Sequence, residues 1–230
     1  MADQQPWGDA AQWYPDIVAL GSATDAWQAE FDRRGAPFRV RSQNPTKPRT
    51  ATVDNGERTA YLNLSPRMRR ITLGLRLERT VMLSGHAPDL AVAADAAHAW
   101  LAGARPPDVA ATRPFLGSVA LATARERGDH REAGWLRLYE NHREERVETR
   151  LQPFVALAFQ EPRLRRLHPY TSVWTLRFST TSTWPYSGSY PTVTPTTTPG
   201  RYVVKTSDGR TADETDAVDA LALVLAGIPR

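Results

Sequence analysis

The sequence contains no cysteine, and this absence excludes disulfide bonds, thiolate catalysis and cysteine-based zinc sites together. No apolar run approaches the roughly 18 residues that a membrane-spanning helix needs. The amino-terminal stretch MADQQPWGDAAQW lacks the basic region and the apolar core of a secretory signal peptide. We therefore expect a cytoplasmic protein with no membrane association.

Lysine is scarce, because only Lys47 and Lys205 among the 29 basic residues are lysines. The net charge is +4 and the isoelectric point is about 9.7. Arginine side chains suit bidentate binding of sulfate, phosphate or carboxylate, which favours an anion-binding protein. A GC-rich genome that uses arginine in place of lysine explains the same composition. Nucleic acid is the least favoured partner, because the basic residues alternate with acidic ones.

Motifs of known catalytic and cofactor sites are missing as well. Gly117, Gly128 and Gly134 are isolated, so the sequence has no glycine-rich phosphate loop. No serine lies in a nucleophile-elbow motif, and the histidines show no metal-ligand spacing. We expect neither a metal nor a cofactor.

Hydrophobic periodicity predicts an α+β fold with mainly antiparallel sheets, because the strands come in hairpin-like runs and do not alternate regularly with helices. Predicted strands cover residues 38–41, 50–53, 58–64, 70–78, 81–83, 171–179 and 201–206, with a long Pro/Thr-rich loop over 180–200. Predicted helices cover residues 16–34, 89–101, 119–127, 132–150, 152–160 and 215–226. We expect two β-rich lobes around a helical middle segment, with domains over residues 1–105 and 106–230.

The predicted helix over residues 132–150 is rich in alternating charges. These are Arg137, Glu140, Arg143, Glu144, Glu145, Arg146, Glu148 and Arg150. Spacings of three and four place opposite charges side by side on a helix, which indicates a solvent-exposed surface.

Two similar helical segments indicate an internal duplication. AADAAHAWLAG ends at residue 103 and TDAVDALALVLAG ends at residue 227, each after predicted strands and a turn. A duplicated unit of antiparallel strands followed by a helix explains the similarity. Chance is the alternative, because alanine-rich helices that end in glycine are common.

The polar residues in and around the predicted strand 171–179 form the candidate site. Alternation places Ser172, Trp174, Leu176 and Phe178 on a core-facing side. The other side carries Thr171, Val173, Thr175, Arg177 and Ser179. Arg165, Arg166 and His168 precede the strand, and a Ser/Thr-rich turn with Tyr186 follows it. This composition suits an anion or a small polar substrate, and a solvated sheet face is the alternative.

His168 is the candidate catalytic residue. An unperturbed pKa near ~6.5 would let this histidine act as a base at neutral pH. The expected substrate-binding residues are Arg165, Arg166, Thr171, Thr175, Arg177, Ser179 and Tyr186. A surface histidine without a chemical role is the alternative.

The segments RLRRLHPYTSVWTLRFS (163–179), GRYVV (200–204) and DAVDALALVLAGIP (216–229) resemble an actinobacterial family of unknown-function proteins, labelled as natural-product biosynthesis proteins. WYPDIVALGS (13–22) and DLAVAADAAHAWLAG (89–103) resemble the same family, so the resemblance covers most of the chain. Within that family, the chain resembles the larger subunit of the azinomycin-type aziridine-forming enzyme.

This resemblance implies a cofactor-independent, lyase-like cyclase of antibiotic biosynthesis. Such an enzyme closes an aziridine ring by intramolecular amine attack with sulfate elimination. The sulfated amine substrate would be attached to an acidic amino-group carrier protein, and a small second subunit would complete a hetero-oligomer. His168 would take the amine proton, and arginines such as Arg165 and Arg177 would bind the departing sulfate. The basic isoelectric point suits an acidic partner.

A protein without catalytic activity is the alternative function. The absence of a catalytic triad, a metal-ligand motif and a phosphate-binding loop favours a binding, immunity or scaffold protein. A nucleic-acid-binding domain ranks last.

Overall fold

The computed structural model describes residues 7–42, 46–140 and 150–229. The chain divides into two compact units, the first over Met1–Glu126 and the second over Arg127–Arg230. No helix in these described ranges is long and apolar enough to cross a membrane.

The first unit is an antiparallel five-stranded sheet with helices on one face. Its strands are β1 Val40–Arg41, β2 Thr50–Asp54, β3 Arg58–Leu64, β4 Ile71–Leu77 and β5 Thr80–Ala87. Its helices are α1 Pro15–Val18, α2 Ala23–Arg33, α3 Leu90–Leu101, α4 Pro106–Thr112 and α5 Val119–Glu126, with 3-10 helices at Gly8–Trp13 and Pro114–Leu116. The strands are in sequence order, and each pairs with the next.

The core of the first unit lies between the sheet and the helices α2 and α3. Trp27 and Phe31 of α2 and Trp100 of α3 are fully buried. Alternate residues of the strands, such as Leu62 and Leu73, face these helices, as period-two patterning predicts. The sequence predicted one helix over 16–34, but the chain divides it into α1 and α2, with a glycine at φ 96° and a serine cap between them.

The second unit is an antiparallel four-stranded sheet with helices against its core-facing side. Its strands are β6 His168–Ser172, β7 Thr175–Ser179, β8 Thr192–Pro195 and β9 Tyr202–Lys205, again in sequence order. Its helices are α6 His130–Glu140, α7 Gln152–Ala158, α8 Pro162–Arg165 and α9 Ala217–Ala226. Trp135, Phe154 and Phe178 from α6, α7 and β7 are buried in one hydrophobic core.

The predicted α+β class with antiparallel sheets is confirmed. The boundary between the units follows Glu126, whereas the sequence prediction placed it after residue 105. The reason is tertiary packing, since the segment after α3 lies on the first sheet. Gly85 of β5 lies directly under the backbone of Phe115, and Arg125 donates a hydrogen bond of 3.0 Å to the carbonyl oxygen of Met82.

The predicted continuous strand over 171–179 is wrong, because Val173 and Trp174 form the turn of a hairpin between β6 and β7. Val173 has φ 58°, a conformation that β-branched residues rarely adopt. Val173 is 80% exposed and Trp174 is 52% exposed, so Trp174 does not belong to the core-facing side. Alternation in the sequence continues through this turn, and periodicity alone therefore did not reveal it.

Two other predicted elements differ from those in the structure. The Pro/Thr-rich loop contains the strand β8, because Val193 is buried in the core and pairs with Leu176 of β7. The charged helix is described as α6 only as far as Glu140, and the predicted ion pairs of residues 141–149 lie outside the described residues.

Both units have strands in sequence order followed by a helix with an aspartate cap. Asp89 accepts a hydrogen bond from the amide of Val92 at the start of α3, and Asp216 accepts from that of Val218 at the start of α9. A repeated arrangement of this kind supports the internal duplication, which stays a prediction.

Candidate functional site

The hairpin turn decides which predicted site residues share a sheet face. In an antiparallel pair, directly opposite residues point to the same side. His168 lies opposite Ser179, and Tyr170 lies opposite Arg177. We call the side away from the hydrophobic core the outer face of the second unit. By register it carries His168, Tyr170, Ser172, Thr175, Arg177, Ser179, Thr192, Thr194, Val203 and Lys205.

Five of the eight predicted site residues meet on or against this outer face. They are His168, Thr175, Arg177, Ser179 and Tyr186. Thr171 lies opposite Leu176 and therefore on the core-facing side. Arg166 is exposed at the end of α8, before the sheet begins. Alternation along one continuous strand would place Thr171 and Thr175 on the same side, whereas the turn at Val173 puts them on opposite sides of the sheet.

Arg165 has structural partners. Its guanidinium forms an ion pair with Glu132 of α6 and lies 4.1 Å from the ring centre of Phe159 and 5.7 Å from that of Trp135. Three-quarters of the side chain is removed from solvent. These contacts join α6 to α8, and we assign Arg165 to packing within the second unit.

His168 is buried, with 8% of its surface exposed, between α6 and the loop after β7. A Cβ atom on Gly134 would lie 3.1 Å from the Cε1 atom of His168, so the missing side chain gives the ring its space. Its Nδ1 atom is buried and has no hydrogen-bond partner among the described residues.

The environment lowers the pKa of His168. Burial of the ring is the largest cause, followed by the positive charge of Arg137, and interaction with the backbone of His130 works in the opposite direction. His130, Gly134 and Arg137 lie on one stripe of α6, which explains why the Arg137 guanidinium and the His130 backbone both influence the histidine. The folded protein therefore holds a neutral imidazole at this position at neutral pH.

We expect this lowered pKa to make the folded state acid-sensitive. The unfolded chain binds a proton near the ordinary pKa of 6.5, whereas folded His168 binds one only at lower pH. The stabilisation is therefore complete above about pH 6.5 and decreases as the pH falls below it. Urea unfolding of the wild type and of His168→Gln between pH 5 and 8 measures the effect. A pH dependence that is the same in both proteins would contradict it.

Ser179 holds the loop that follows β7. The side chain is fully buried, and its hydroxyl oxygen accepts hydrogen bonds from the amides of Thr181 at 3.0 Å and Ser187 at 2.9 Å. The amide of Thr180 also donates to the carbonyl oxygen of Ser187 at 3.1 Å. These bonds close the loop 180–187 at its base, so the Ser179 hydroxyl is occupied within the protein.

The closed loop places an aromatic cluster on the outer face. Tyr186 stacks on Tyr170 at a ring-centre distance of 4.0 Å and on His168 at 5.8 Å. Trp184 meets Tyr186 edge-on at 6.2 Å and is 83% exposed. A ring this large, exposed on a loop held by hydrogen bonds, is a common feature of binding surfaces.

Sequence reasoning missed Tyr170, Trp184 and Lys205. The aromatic residues of WPY within a Ser/Thr-rich loop were the available signal for Trp184. Lys205 lies far along the chain from Arg177, and only the register through Thr192 of β8 places both cations in one row.

A shallow cavity of about 280 Å³ lies elsewhere, at the end of α9. It is lined by Arg163, Ala222, Leu225, Ala226 and Ile228. Arg163 donates hydrogen bonds to the carbonyl oxygen of Leu225, in the last turn of α9, and to that of Ile228, just beyond the helix. None of the predicted site residues lines this cavity.

Residues 130–230 match a protein family of unknown function, DUF6193. The match covers the helices and the sheet of the second unit from His130 onward. It confirms, for this part of the chain, the predicted similarity to an unknown-function family. No curated protein and no solved structure matches the chain.

Proposed function

We propose that the second unit is a binding module for an acidic protein partner and that its outer face is the contact surface. The observation that carries this proposal is a row of register positions that combines Tyr170, Arg177 and Lys205 without any carboxylate. The proposed function belongs to the binding and scaffold class.

Charge is the first argument. Arg177 and Lys205 are exposed, and neither has an ion-pair partner among the described residues. No acidic residue occupies any register position of the outer face in the described strands. Unpaired cations on a face without carboxylates attract acidic surfaces and discriminate against basic ones.

Side-chain type is the second argument. Tyrosine, tryptophan and arginine are enriched among the few residues that dominate the binding energy of protein interfaces, and this face combines all three in Tyr186, Trp184 and Arg177. Stacking of Tyr186 on Tyr170 and the hydrogen bonds of Ser179 hold the loop in place before a partner arrives. A surface ordered in advance loses less conformational entropy on binding.

The partner that this chemistry supports is the acidic amino-group carrier protein that the sequence resemblance implies. Reversing one charge of the face tests the proposal. We expect Arg177→Glu to weaken binding of a recombinant acidic carrier protein by about tenfold or more, because the new carboxylate repels the partner. Isothermal titration calorimetry at two salt concentrations measures the change.

Arg127→Glu is the matched control, since Arg127 is an exposed arginine of the same unit outside the sheet. It should bind as the wild type does. Equal losses in both variants would show that net charge alone drives binding, and unchanged binding by Arg177→Glu would exclude the outer face.

A sulfate-eliminating cyclase is the second candidate, and the neutral state of His168 favours it. In that reaction the amine nitrogen forms a bond to carbon while the bond from that carbon to the sulfate oxygen breaks, and sulfate leaves. His168 would accept the proton lost from nitrogen, and Arg177 would lie on the sheet face where the anion departs. Release of inorganic sulfate from a carrier-bound sulfate ester, with the small second subunit present, tests this candidate.

A further inference from the structure

The sheet of the first unit has an outer face of its own, opposite the side that packs on α2 and α3. Register places tyrosine, arginine and hydroxyl side chains on it, as on the outer face of the second unit. Its positions are Arg41, Thr50, Thr52, Asp54, Thr59, Tyr61, Asn63, Thr72, Gly74, Arg76, Val81, Ser84 and His86. None of these residues belongs to the part of the chain that matches a known family.

Tyr61 and Arg76 form the centre of this face. A Cβ atom on Gly74 would fall 2.0 Å from the Cζ atom of Tyr61, so the tyrosine ring lies flat across the glycine. The guanidinium of Arg76 lies over the same ring, 4.4 Å from its centre. Glycine at this position allows an aromatic ring and an arginine to be held together on the sheet surface.

The charges of this face are mostly positive. Arg41 and Arg76 are exposed, and Asp54, 3.8 Å from Arg41, is the one acidic residue at these register positions of the described strands. Arg76 has no carboxylate within ion-pair distance among the described residues. Threonine, serine and asparagine side chains fill most of the remaining positions and offer hydrogen bonds without negative charge.

The two outer faces share tyrosine, arginine and several hydroxyl side chains, but at the register positions of the described strands only the first carries a carboxylate, Asp54, which lies 3.8 Å from Arg41. On each face a tyrosine and an arginine lie among hydroxyl side chains. Arg177 lies directly opposite Tyr170, whereas Arg76 lies diagonal to Tyr61 and over its ring. Each sheet also precedes a helix that begins with an aspartate cap.

We infer that the outer face of the first unit is a second binding site for the acidic carrier protein, so that one chain binds two carrier molecules. This inference rests on the proposed function for the identity of the partner. Its own basis is the unpaired Arg76 on Tyr61 within a face that holds a single carboxylate.

Titration calorimetry of the full chain with the recombinant acidic carrier protein tests the inference through its stoichiometry. The wild type should bind two carriers per chain. The carrier concentration is chosen to fill the wild-type sites but not sites whose affinity has been weakened. At this concentration Arg76→Glu and Arg177→Glu should each bind one carrier, and the double variant should bind none. Arg79→Glu is the control, because Arg79 is exposed in the turn between β4 and β5 and should retain both sites.

Each result has a distinct meaning. One carrier per wild-type chain, with loss only in Arg177→Glu, overturns this inference and leaves the proposed function standing. Loss of one carrier in Arg76→Glu alone supports the site on the first unit and overturns the site proposed on the second unit. Circular dichroism checks that each variant is folded, and Arg76→Gln replaces Arg76→Glu if the latter is not. No binding by the wild type overturns both.

Discussion

Replacing Trp184 with alanine should weaken binding of the acidic partner by at least about 2 kcal/mol, or roughly thirtyfold. The tryptophan is 83% exposed, so the substitution removes contact area for a partner without opening a cavity in the core. Ser179 holds the loop that carries it, and the remaining aromatic stack of Tyr186 on Tyr170 should persist. Calorimetric titration measures affinity, and thermal unfolding should show an unchanged midpoint.

Trp174→Ala is the matched control for this prediction. Trp174 is 52% exposed at the turn between β6 and β7 and has no place in the aromatic stack. We expect its loss to change affinity by less than about threefold, or roughly 0.7 kcal/mol. If Trp174→Ala weakened binding as much as Trp184→Ala, the contact surface would be centred on the hairpin turn and not on the loop.

Replacing Trp135 with alanine should destabilise the protein by about 3–5 kcal/mol, because it removes a fully buried indole from the core of the second unit. The ring stacks on Phe178 at 6.1 Å and lies under the guanidinium of Arg165. Its Nε1 atom donates a buried hydrogen bond of 2.9 Å to the carbonyl oxygen of Leu167. Urea unfolding, monitored by circular dichroism, gives the free energy of unfolding.

Trp135→Phe separates the contribution of ring packing to stability from that of the hydrogen bond. It keeps most of the packing but leaves the Leu167 carbonyl oxygen without its donor, at a cost of about 1–3 kcal/mol. Trp13→Ala removes a tryptophan that is 37% exposed and should cost less than about 1 kcal/mol. A loss below about 1 kcal/mol for Trp135→Ala would show that the core of the second unit contributes little to stability.

The candidate site was predictable only in part. The sequence placed Arg177, Thr175 and Ser179 on one side of a strand, and the structure agrees, because alternation within β7 is a local property. Thr171 was assigned to the same side through a turn that alternation does not reveal. Arg165 was assigned to anion binding, yet its partners Glu132 and Phe159 lie in other elements and only folding brings them together.

Local pattern determined what the sequence by itself revealed: the α+β class, the antiparallel strands, and the helices α3 and α9. These features depend on residues a few positions apart, and backbone geometry repeats over that distance. The tertiary structure alone decided the hairpin at Val173, the burial of His168 against Gly134, and the row that joins Tyr170, Arg177 and Lys205. Those features depend on strand register and helix packing. Contacts between distant segments determine both, and the local periodicity of the sequence does not encode them.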